Sequence, residues 1–147
     1  MAERARLLET VRPLFEEANR AWNAGDFRLA YAALPDDFEY HLAAAWPNAR
    51  PLQGRDEVIS FFEDWREMFP DARTGRLEFI EVDDRRLILG FTVIGTGRRS
   101  GASTEMEVWQ LWELNDELVP IKVTEHGTRA KAIEAAGGRE RIVDGPK

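Results

Sequence analysis

The sequence predicts an α+β fold: a cone-shaped, curved, mostly antiparallel sheet that is covered on one face by three helices and encloses a pocket. Apolar residues recur at helical spacing through most of the first half, whereas period-2 alternation dominates the second half. One strand interrupts the helical half. Because helices and antiparallel strands are segregated along the chain, we expect the helices to pack as a layer on one face of the sheet.

Four segments carry helix signals. In the first, apolar residues recur at spacings of three, four and seven until Gly25 ends the pattern. Asp26 can cap the second segment, Asp56 opens the third and Pro70 ends it. The fourth segment is rich in alanine and is closed by a glycine. The predicted helices are 7–24, 27–34, 56–69 and 128–136.

Strand signals dominate after residue 75. The segment 46–54 contains two prolines, an asparagine and a glycine, and is predicted to be a loop. The glycine-rich segment 95–101 is one residue too long for a dinucleotide-binding fingerprint and precedes a strand, so it is predicted to be a hairpin loop. The predicted strands are 38–43, 76–82, 85–96, 103–114 and 118–125.

Length and charge limit the classes of function. A chain of 147 residues suits a single domain, which we place at residues 1–138, followed by a polar C-terminal tail at 139–147 that we expect to fray. The net charge of -7 disfavours nucleic acid and anionic membranes as partners. The absence of cysteine excludes disulfides and thiolate chemistry. With no apolar signal core or membrane-length run, we expect a soluble, cytoplasmic protein.

Several sequence stretches, taken in order, suggest a family. They are WNAGDF at 22–27, DDFEYHL at 36–42, LQGRDEVISFF at 52–62, and the stretch from VWQLWEL at 108–114 to RAKAIEAAG at 129–137. In this order and spacing the chain resembles the bacterial SnoaL-like and ketosteroid-isomerase-like branch of the nuclear transport factor 2-like superfamily, over nearly all of residues 5–138. The resemblance implies the curved sheet and its pocket. It leaves the reaction open, because the family includes isomerases, cyclases, epoxide hydrolases, dehydratases and binding modules.

The resemblance also indicates where the catalytic residues of the ketosteroid isomerases would lie in this chain. Ketosteroid isomerases use a strand aspartate as base, and a tyrosine with a protonated aspartate at the developing oxyanion. Carried onto this chain, these positions fall on Leu42, Ala18 and Gln110. Neither Leu42 nor Ala18 can perform the role, whereas the Gln110 amide can donate to a carbonyl oxygen. We therefore expect a pocket that lacks the steroid-isomerase residues, and the catalytic residues stay open, with Gln110 and His126 as candidates.

Strand alternation and the helical stripes predict the lining of the pocket. A buried glutamine must find partners, so Gln110 either binds a ligand or bonds a neighbouring side chain or water. A tyrosine or tryptophan on the inner face either contacts a ligand or simply packs in the core. His126, at the last strand-to-helix junction, is either an acid or base near the pocket mouth or a solvated loop residue. The ligand-binding candidates are Tyr40, Leu42, Gln110, Trp112 and Trp22.

Other polar and aromatic residues have structural explanations. His41 and Glu39 are predicted to form a surface or dimer-interface pair, and we predict no metal site and no cofactor. Trp46 lies in the proline-rich loop, where it can help to cover the pocket. Trp109 and Leu111 lie on the outer face of their strand, where a monomer would leave them exposed to water, so we predict a homodimer through this sheet face.

Three functions remain open at this level. The first is a cofactor-free isomerase, lyase, cyclase or hydrolase that acts on a small apolar metabolite. The second is a non-catalytic ligand-binding or accessory dimeric protein, which the missing tyrosine and aspartates favour. The third is a dimerisation module whose cavity is filled by its own bulky side chains.

Overall fold

The computed structural model describes residues 6–46, 48–138, 140 and 142–144, which form four helices and eight strands. The order of these elements is the α+β order that the sequence predicts. The helices are α1 (Arg6–Asn23), α2 (Phe27–Ala30), α3 (Arg55–Met68) and α4 (Arg129–Ala135). The strands are β1 (Glu39–His41), β2 (Pro51–Gln53), β3 (Arg73–Thr74), β4 (Glu78–Glu81), β5 (Arg86–Thr96), β6 (Ser103–Leu114), β7 (Pro120–His126) and β8 (Ile142–Asp144).

All eight strands of the described segments join one sheet. Its order is β2-β1-β7-β6-β5-β4-β8, and β3 pairs with the C-terminal part of β5. The β1–β7 pair is parallel and the other pairs are antiparallel. This parallel pair places the strand from the helical half directly beside the last long strand, which positions the site described below.

The helices pack on both faces of the sheet. Apolar side chains of α1, α2 and α3 form the main core with alternate residues of β5, β6 and β7, such as Leu89, Trp112 and Val123. The intervening residues, such as Ile88 and Leu111, face the other way and pack against α4. The three-helix layer is the predicted one. The α+β class is therefore confirmed, with a fourth helix on the opposite face.

Local sequence signals explain where the helices begin. The Asp26 side chain accepts a 3.1 Å hydrogen bond from Leu29 N, and caps α2. Thr128 caps α4 in the same way through Lys131 N. Gly54 precedes α3 with a φ of 88°, and a Cβ there would lie 2.5 Å from the Asp36 carbonyl oxygen. A side chain at position 54 is therefore excluded by both conformation and space.

Three short strands were not predicted. The segment Pro51–Gln53, predicted as loop, pairs with β1 as an edge strand, a position that tolerates proline. Arg73–Thr74 pairs with β5. Ile142–Asp144, in the tail that was expected to fray, pairs with β4. Two or three residues are too few to show alternation, so the sheet that receives these strands decides their structure.

The outer face of β6 is covered within the chain. Trp109 and Leu111 are buried against Ala132 of α4 and against Ala136, which caps the end of that helix, and the Trp109 indole lies over Gly90 on the neighbouring strand. The expectation that a monomer exposes these two side chains is therefore wrong. Alternation placed both residues on the correct face, but it did not show that α4 folds back over that face. The homodimer stays a prediction, without this argument for it.

No helix in the described part of the chain is long and apolar enough to cross a membrane.

Candidate functional site

A cavity of about 310 Å³ lies between α1, the α2 region, α3 and the concave face of the sheet. Its wall is mainly aromatic and aliphatic. Leu14, which is 64% exposed, lies at its rim on α1. Leu118 and Val119 contribute from the turn before β7, and Pro120 contributes from the start of that strand. Such a wall suits a small, largely apolar molecule. Further apolar and aromatic lining residues are Val11, Phe15, Ala18, Trp22, Ala30, Tyr31, Ala33, Leu34, Tyr40, Trp46, Phe62, Leu89, Phe91, Trp112 and Leu114, and the polar ones are Asn19, Thr74 and Gln110.

A buried carboxylate, that of Glu125, lies behind the polar side of the cavity wall. Within the described residues, four donors surround it. Its Oε2 accepts from Tyr40 Oη at 2.6 Å and from Gln110 Nε2 at 2.8 Å. Its Oε1 accepts from Ala43 N at 3.0 Å and from Trp46 Nε1 at 2.6 Å. Tyr40, Gln110 and Trp46 line the cavity, so they separate the carboxylate from a bound molecule.

The sheet topology brings these groups together. Glu125 shares the inner face of β7 with Val123, because alternate residues of a strand point the same way. Gln110 is the cross-strand partner of Glu125 on β6, and Tyr40 pairs with Val123 through the parallel β1–β7 ladder. Trp46 comes from the segment after β1. The carboxylate on β7 is thus hydrogen-bonded to residues of β1, of β6 and of the segment after β1.

Burial controls the protonation of this group. Burial raises the pKa of Glu125 above its ordinary value, and the hydrogen bonds from Tyr40, Ala43, Gln110 and Trp46 oppose that rise. Burial, followed by the charge of Glu125, raises the pKa of Tyr40 well above its ordinary value. Tyr40 therefore stays a neutral phenol. All four partners donate to Glu125, and this pattern suits a carboxylate in its ionised form.

Gln110 extends the network along the cavity wall. Gln110 Nε2 also donates to Tyr40 Oη at 3.0 Å, and Gln110 Oε1 accepts from Trp112 Nε1 at 2.8 Å. Burial, followed by the charge of Glu125, raises the pKa of the neighbouring Tyr31 above its ordinary value. The buried amide of Gln110 is thus satisfied by neighbouring side chains.

The structure brings four of the five predicted ligand-binding residues to the cavity wall: Tyr40, Gln110, Trp112 and Trp22. Ala18, where the family's tyrosine would stand, also lines the cavity. Leu42 does not. Strand β1 ends at His41, so alternation stops there, and Leu42 packs half-buried against the core instead. The expectation of Leu42 in the lining is therefore wrong.

His126 is not at the cavity. It is adjacent to Glu125 on β7 and so points to the opposite face, where it pairs with Trp109 in the ladder. Burial, with a smaller effect of Lys131, lowers the pKa of His126. The expectation that His126 lies near the pocket mouth is therefore wrong, because adjacent residues of a strand point to opposite faces of the sheet. His41 and Glu39 form the predicted exposed pair, at 3.3 Å.

Sequence reasoning overlooked the central residue, Glu125. The same alternation that places Val123 inward places Glu125 inward, and a carboxylate on an apolar face must be paired. That signal was present in the sequence, but its partners Tyr40 and Trp46 lie 85 and 79 residues away and emerge only from the fold. Among the described residues, no group of three or more histidine and acidic side chains is placed to hold a metal.

Fold and cavity together define a small α+β domain of the nuclear transport factor 2-like class. The sequence model of the SnoaL-like domain matches residues 15–126, which is most of the chain, so the chain belongs to the SnoaL-like family. No curated protein matches its sequence.

Solved structures show the same fold at low identity. A nuclear transport factor 2-like protein from Anabaena variabilis is 15% identical, with a TM-score of 0.67 over 82% of this chain and 88% of that one. A candidate polyketide cyclase from Xanthomonas campestris is 15% identical, with a TM-score of 0.65 over 92% and 97%. A protein of ketosteroid isomerase-like fold from Catenulispora acidiphila, in complex with trimethylamine, is 10% identical, with a TM-score of 0.61 over 81% and 88%.

Proposed function

We propose that this chain is a cofactor-independent enzyme of the isomerase, lyase, cyclase or hydrolase type, which moves a proton on a small, mostly apolar molecule. One observation carries the proposal: the buried Glu125 carboxylate is joined to an apolar cavity through the hydroxyl of Tyr40, 2.6 Å away. A carboxylate in such a place supplies a base in a water-poor site. Contacts between the ligand and the apolar wall of the cavity supply the binding energy.

The geometry suits a two-step proton relay. A ligand hydroxyl that contacts Tyr40 transfers its proton to the phenolic oxygen while Tyr40 passes its own proton to Glu125 Oε2. One O–H bond breaks and one forms at each step, and the negative charge moves from Glu125 to the ligand oxygen. The reverse sequence returns the proton to the product. Because burial raises the pKa of Glu125, the carboxylate is a stronger base than an exposed one.

The neighbours' names agree with this class. One similar structure is called a candidate polyketide cyclase and another a protein of ketosteroid isomerase-like fold. At 15% and 10% identity they support the fold, and the reaction class is our inference from the site.

One observation favours a second function, a non-catalytic ligand-binding protein. Glu125 already accepts four hydrogen bonds from the described residues, which fills the usual capacity of a carboxylate. A network satisfied in this way rigidifies a binding site without any need for proton transfer. The two functions share the cavity and differ in turnover.

An activity assay with diacetone alcohol in heavy water distinguishes the enzyme from the non-catalytic binding protein. This compound carries one hydroxyl and one carbonyl, and proton NMR resolves its cleavage to acetone, its dehydration to mesityl oxide and its exchange of carbon-bound hydrogen. An enzyme accelerates at least one of these over buffer, and Glu125→Gln and Tyr40→Phe remove the acceleration. Glu39→Gln is the matched control, because it changes an exposed carboxylate on β1.

Each result favours one function. Binding by calorimetry without acceleration supports the non-catalytic function and contradicts the enzyme for this class of substrate. Acceleration that survives both site substitutions contradicts the relay.

A further inference from the structure

The cavity has a second polar part, where α1 meets β3. Asn19 of α1 and Thr74 of β3 both line the cavity. The Thr74 hydroxyl lies 2.5 Å from Asn19 Oδ1 and 3.3 Å from Asn23 Oδ1, so its one proton goes to the nearer oxygen. Asn23 Oδ1 accepts from Thr74 N at 2.7 Å instead. Thr74 therefore holds the Asn19 amide by its oxygen.

The amide nitrogen of Asn19 is left for a ligand. Among the described residues it has no hydrogen-bond partner, and the side chain is half-buried on the cavity wall. A few polar groups on an otherwise apolar wall fix the orientation of a bound molecule. An N–H group donates, so the ligand group that it recognises is an acceptor such as a carbonyl oxygen.

This part of the wall is distant from Glu125 along the sheet. Thr74 pairs with Val93 on β5, whereas Gln110 pairs with Leu89 on the same strand. The four residues from Leu89 to Val93 span about 13 Å of strand. The cavity therefore carries polar groups at two separate places on its wall.

The two places differ in their electrostatic surroundings. At the first, the ionised Glu125 carboxylate lies behind Tyr40 and Gln110 and disfavours an electron-rich carbonyl oxygen. The second adjoins another cavity, of about 470 Å³, which shares Asn19 and has a positively charged lining. The charged residues of that lining are Arg12, Arg20, Arg76 and Glu16. A carbonyl oxygen is therefore more favourable beside Asn19 than beside Glu125.

Gln110 is the competing donor. Tyr40 Oη and Glu125 Oε2 lie 2.6 Å apart, and 3.0 and 2.8 Å from Gln110 Nε2, so they subtend about 53° at that nitrogen. The two N–H bonds of an amide diverge by about 120°, so one of them faces both oxygens and the other is left over. That remaining N–H lies beside the Glu125 charge, whereas both N–H groups of Asn19 lie away from it.

We propose that Asn19 is the specificity-determining residue of the cavity and binds the carbonyl oxygen of a mostly apolar ligand through Nδ2. Thr74 is the positioning residue, because it holds Asn19 Oδ1. The inference rests on the proposed ligand-binding function. It narrows the ligand class to molecules with a carbonyl at Asn19 and, for the proton relay, a hydroxyl at Tyr40. Diacetone alcohol, whose two oxygens lie close together, tests the Tyr40 part alone.

Cyclohexanone and methylenecyclohexane test this inference, because they share a skeleton and differ in the carbonyl oxygen. Nitrogen–proton correlation NMR gives both dissociation constants. The ratio of the two constants is compared between wild type and Asn19→Asp, so that the different hydration of the probes cancels. The substituted side chain keeps an oxygen for Thr74 and lacks the amide donor. We expect the ratio to shift about tenfold against the ketone.

Two further variants complete the comparison. Asn48→Asp makes the same change at an exposed residue outside both cavities, where the φ of 60° is one that aspartate adopts readily, and it should keep the wild-type ratio. Thr74→Val removes the hydroxyl that holds Asn19, and it should shift the ratio in the same direction by a smaller factor.

The side-chain amide signals of Asn19 supply a readout that a merely structural role would not move. Their loss in Asn19→Asp assigns them. We expect cyclohexanone to shift these signals and methylenecyclohexane to leave them nearly in place. Ketone-dependent shifts at the Gln110 amide without any at Asn19 would overturn the inference.

The outcomes separate this inference from the function on which it rests. If wild type binds both probes and Asn19→Asp keeps their ratio, the role of Asn19 is wrong and ligand binding stands. If wild type binds neither probe, both are wrong. Circular dichroism identifies a variant that fails to fold; Thr74→Val and the Asn19 signals of wild type then decide.

Discussion

The Tyr40 hydroxyl donates a 2.6 Å hydrogen bond to Glu125 Oε2, across 85 residues of chain. This bond joins the strand of the helical half to the last long strand, on the side of the cavity where Gln110 and Trp46 meet the same carboxylate. Stability and function therefore depend on the same buried group.

Removing the hydroxyl by Tyr40→Phe should lower the free energy of unfolding. A hydrogen bond to a charged group contributes about 1.5–3 kcal/mol, and its loss also leaves the Glu125 carboxylate one donor short. Urea unfolding of wild type, Tyr40→Phe, Glu125→Gln and the double variant measures the coupling between the two residues. Additive effects would show that the bond contributes nothing.

The pKa of Glu125 predicts a pH dependence. Its pKa in the folded protein is raised above the ordinary value of 4.5, so the folded state binds more protons than the unfolded state between the two values. The stabilising contribution of Glu125 to the free energy of unfolding is therefore fully present below pH 4.5 and is lost as the pH rises through the raised pKa. The free energy of unfolding of wild type minus that of Glu125→Gln should therefore fall over this interval.

Urea unfolding at successive pH values gives that difference, because the two proteins share their other titrating groups. A difference that rises with pH over this interval would show that the four hydrogen bonds outweigh burial.

Gly90 predicts a steric effect on the outer face of the sheet. A Cβ at this position would lie 2.3 Å from the indole of Trp109, which α4 holds in place. Gly90→Ala should lower the free energy of unfolding by about 1–3 kcal/mol, as overpacking does in other cores. Gly127→Ala is the control, since nothing lies within 4 Å of a Cβ there. Similar thermal stabilities of the two variants would contradict this packing.

Substitution of Leu111 tests whether the outer face of the sheet packs against α4 or forms a dimer contact. Leu111 is buried under α4, so Leu111→Ala should cost about 2–5 kcal/mol of stability and leave the oligomeric mass unchanged. Native mass spectrometry and urea unfolding of the same sample measure both. Ile121→Ala, at a side chain that is 42% exposed, is the control for stability. A dimer that dissociates on Leu111→Ala would instead support the predicted sheet-face contact.

Much of the fold follows from the sequence because periodicity is a local property. The apolar stripe of α1 and the alternation of β6 predict both elements, and Gln110 and Trp112 reach the cavity as alternation requires. The sequence predicts less well where tertiary structure decides. Leu42 lies one residue beyond the end of β1, so the strand's period no longer fixes its direction.

The site was harder to predict than the fold. Glu125 became significant only when the parallel β1–β7 pair and the segment after β1 brought Tyr40 and Trp46 to it. In the same way, the burial of Trp109 depends on where α4 packs. Contacts between distant segments are properties of the topology, which periodicity alone does not supply.

A crystal structure of the protein with bound diacetone alcohol tests the central claim most directly. The account predicts that diacetone alcohol lies in the cavity with its hydroxyl oxygen within hydrogen-bonding distance of Tyr40 Oη, while Tyr40 keeps its hydrogen bond to Glu125. Diacetone alcohol bound outside the cavity, or bound inside with its hydroxyl directed to the rim at Leu14, would contradict it.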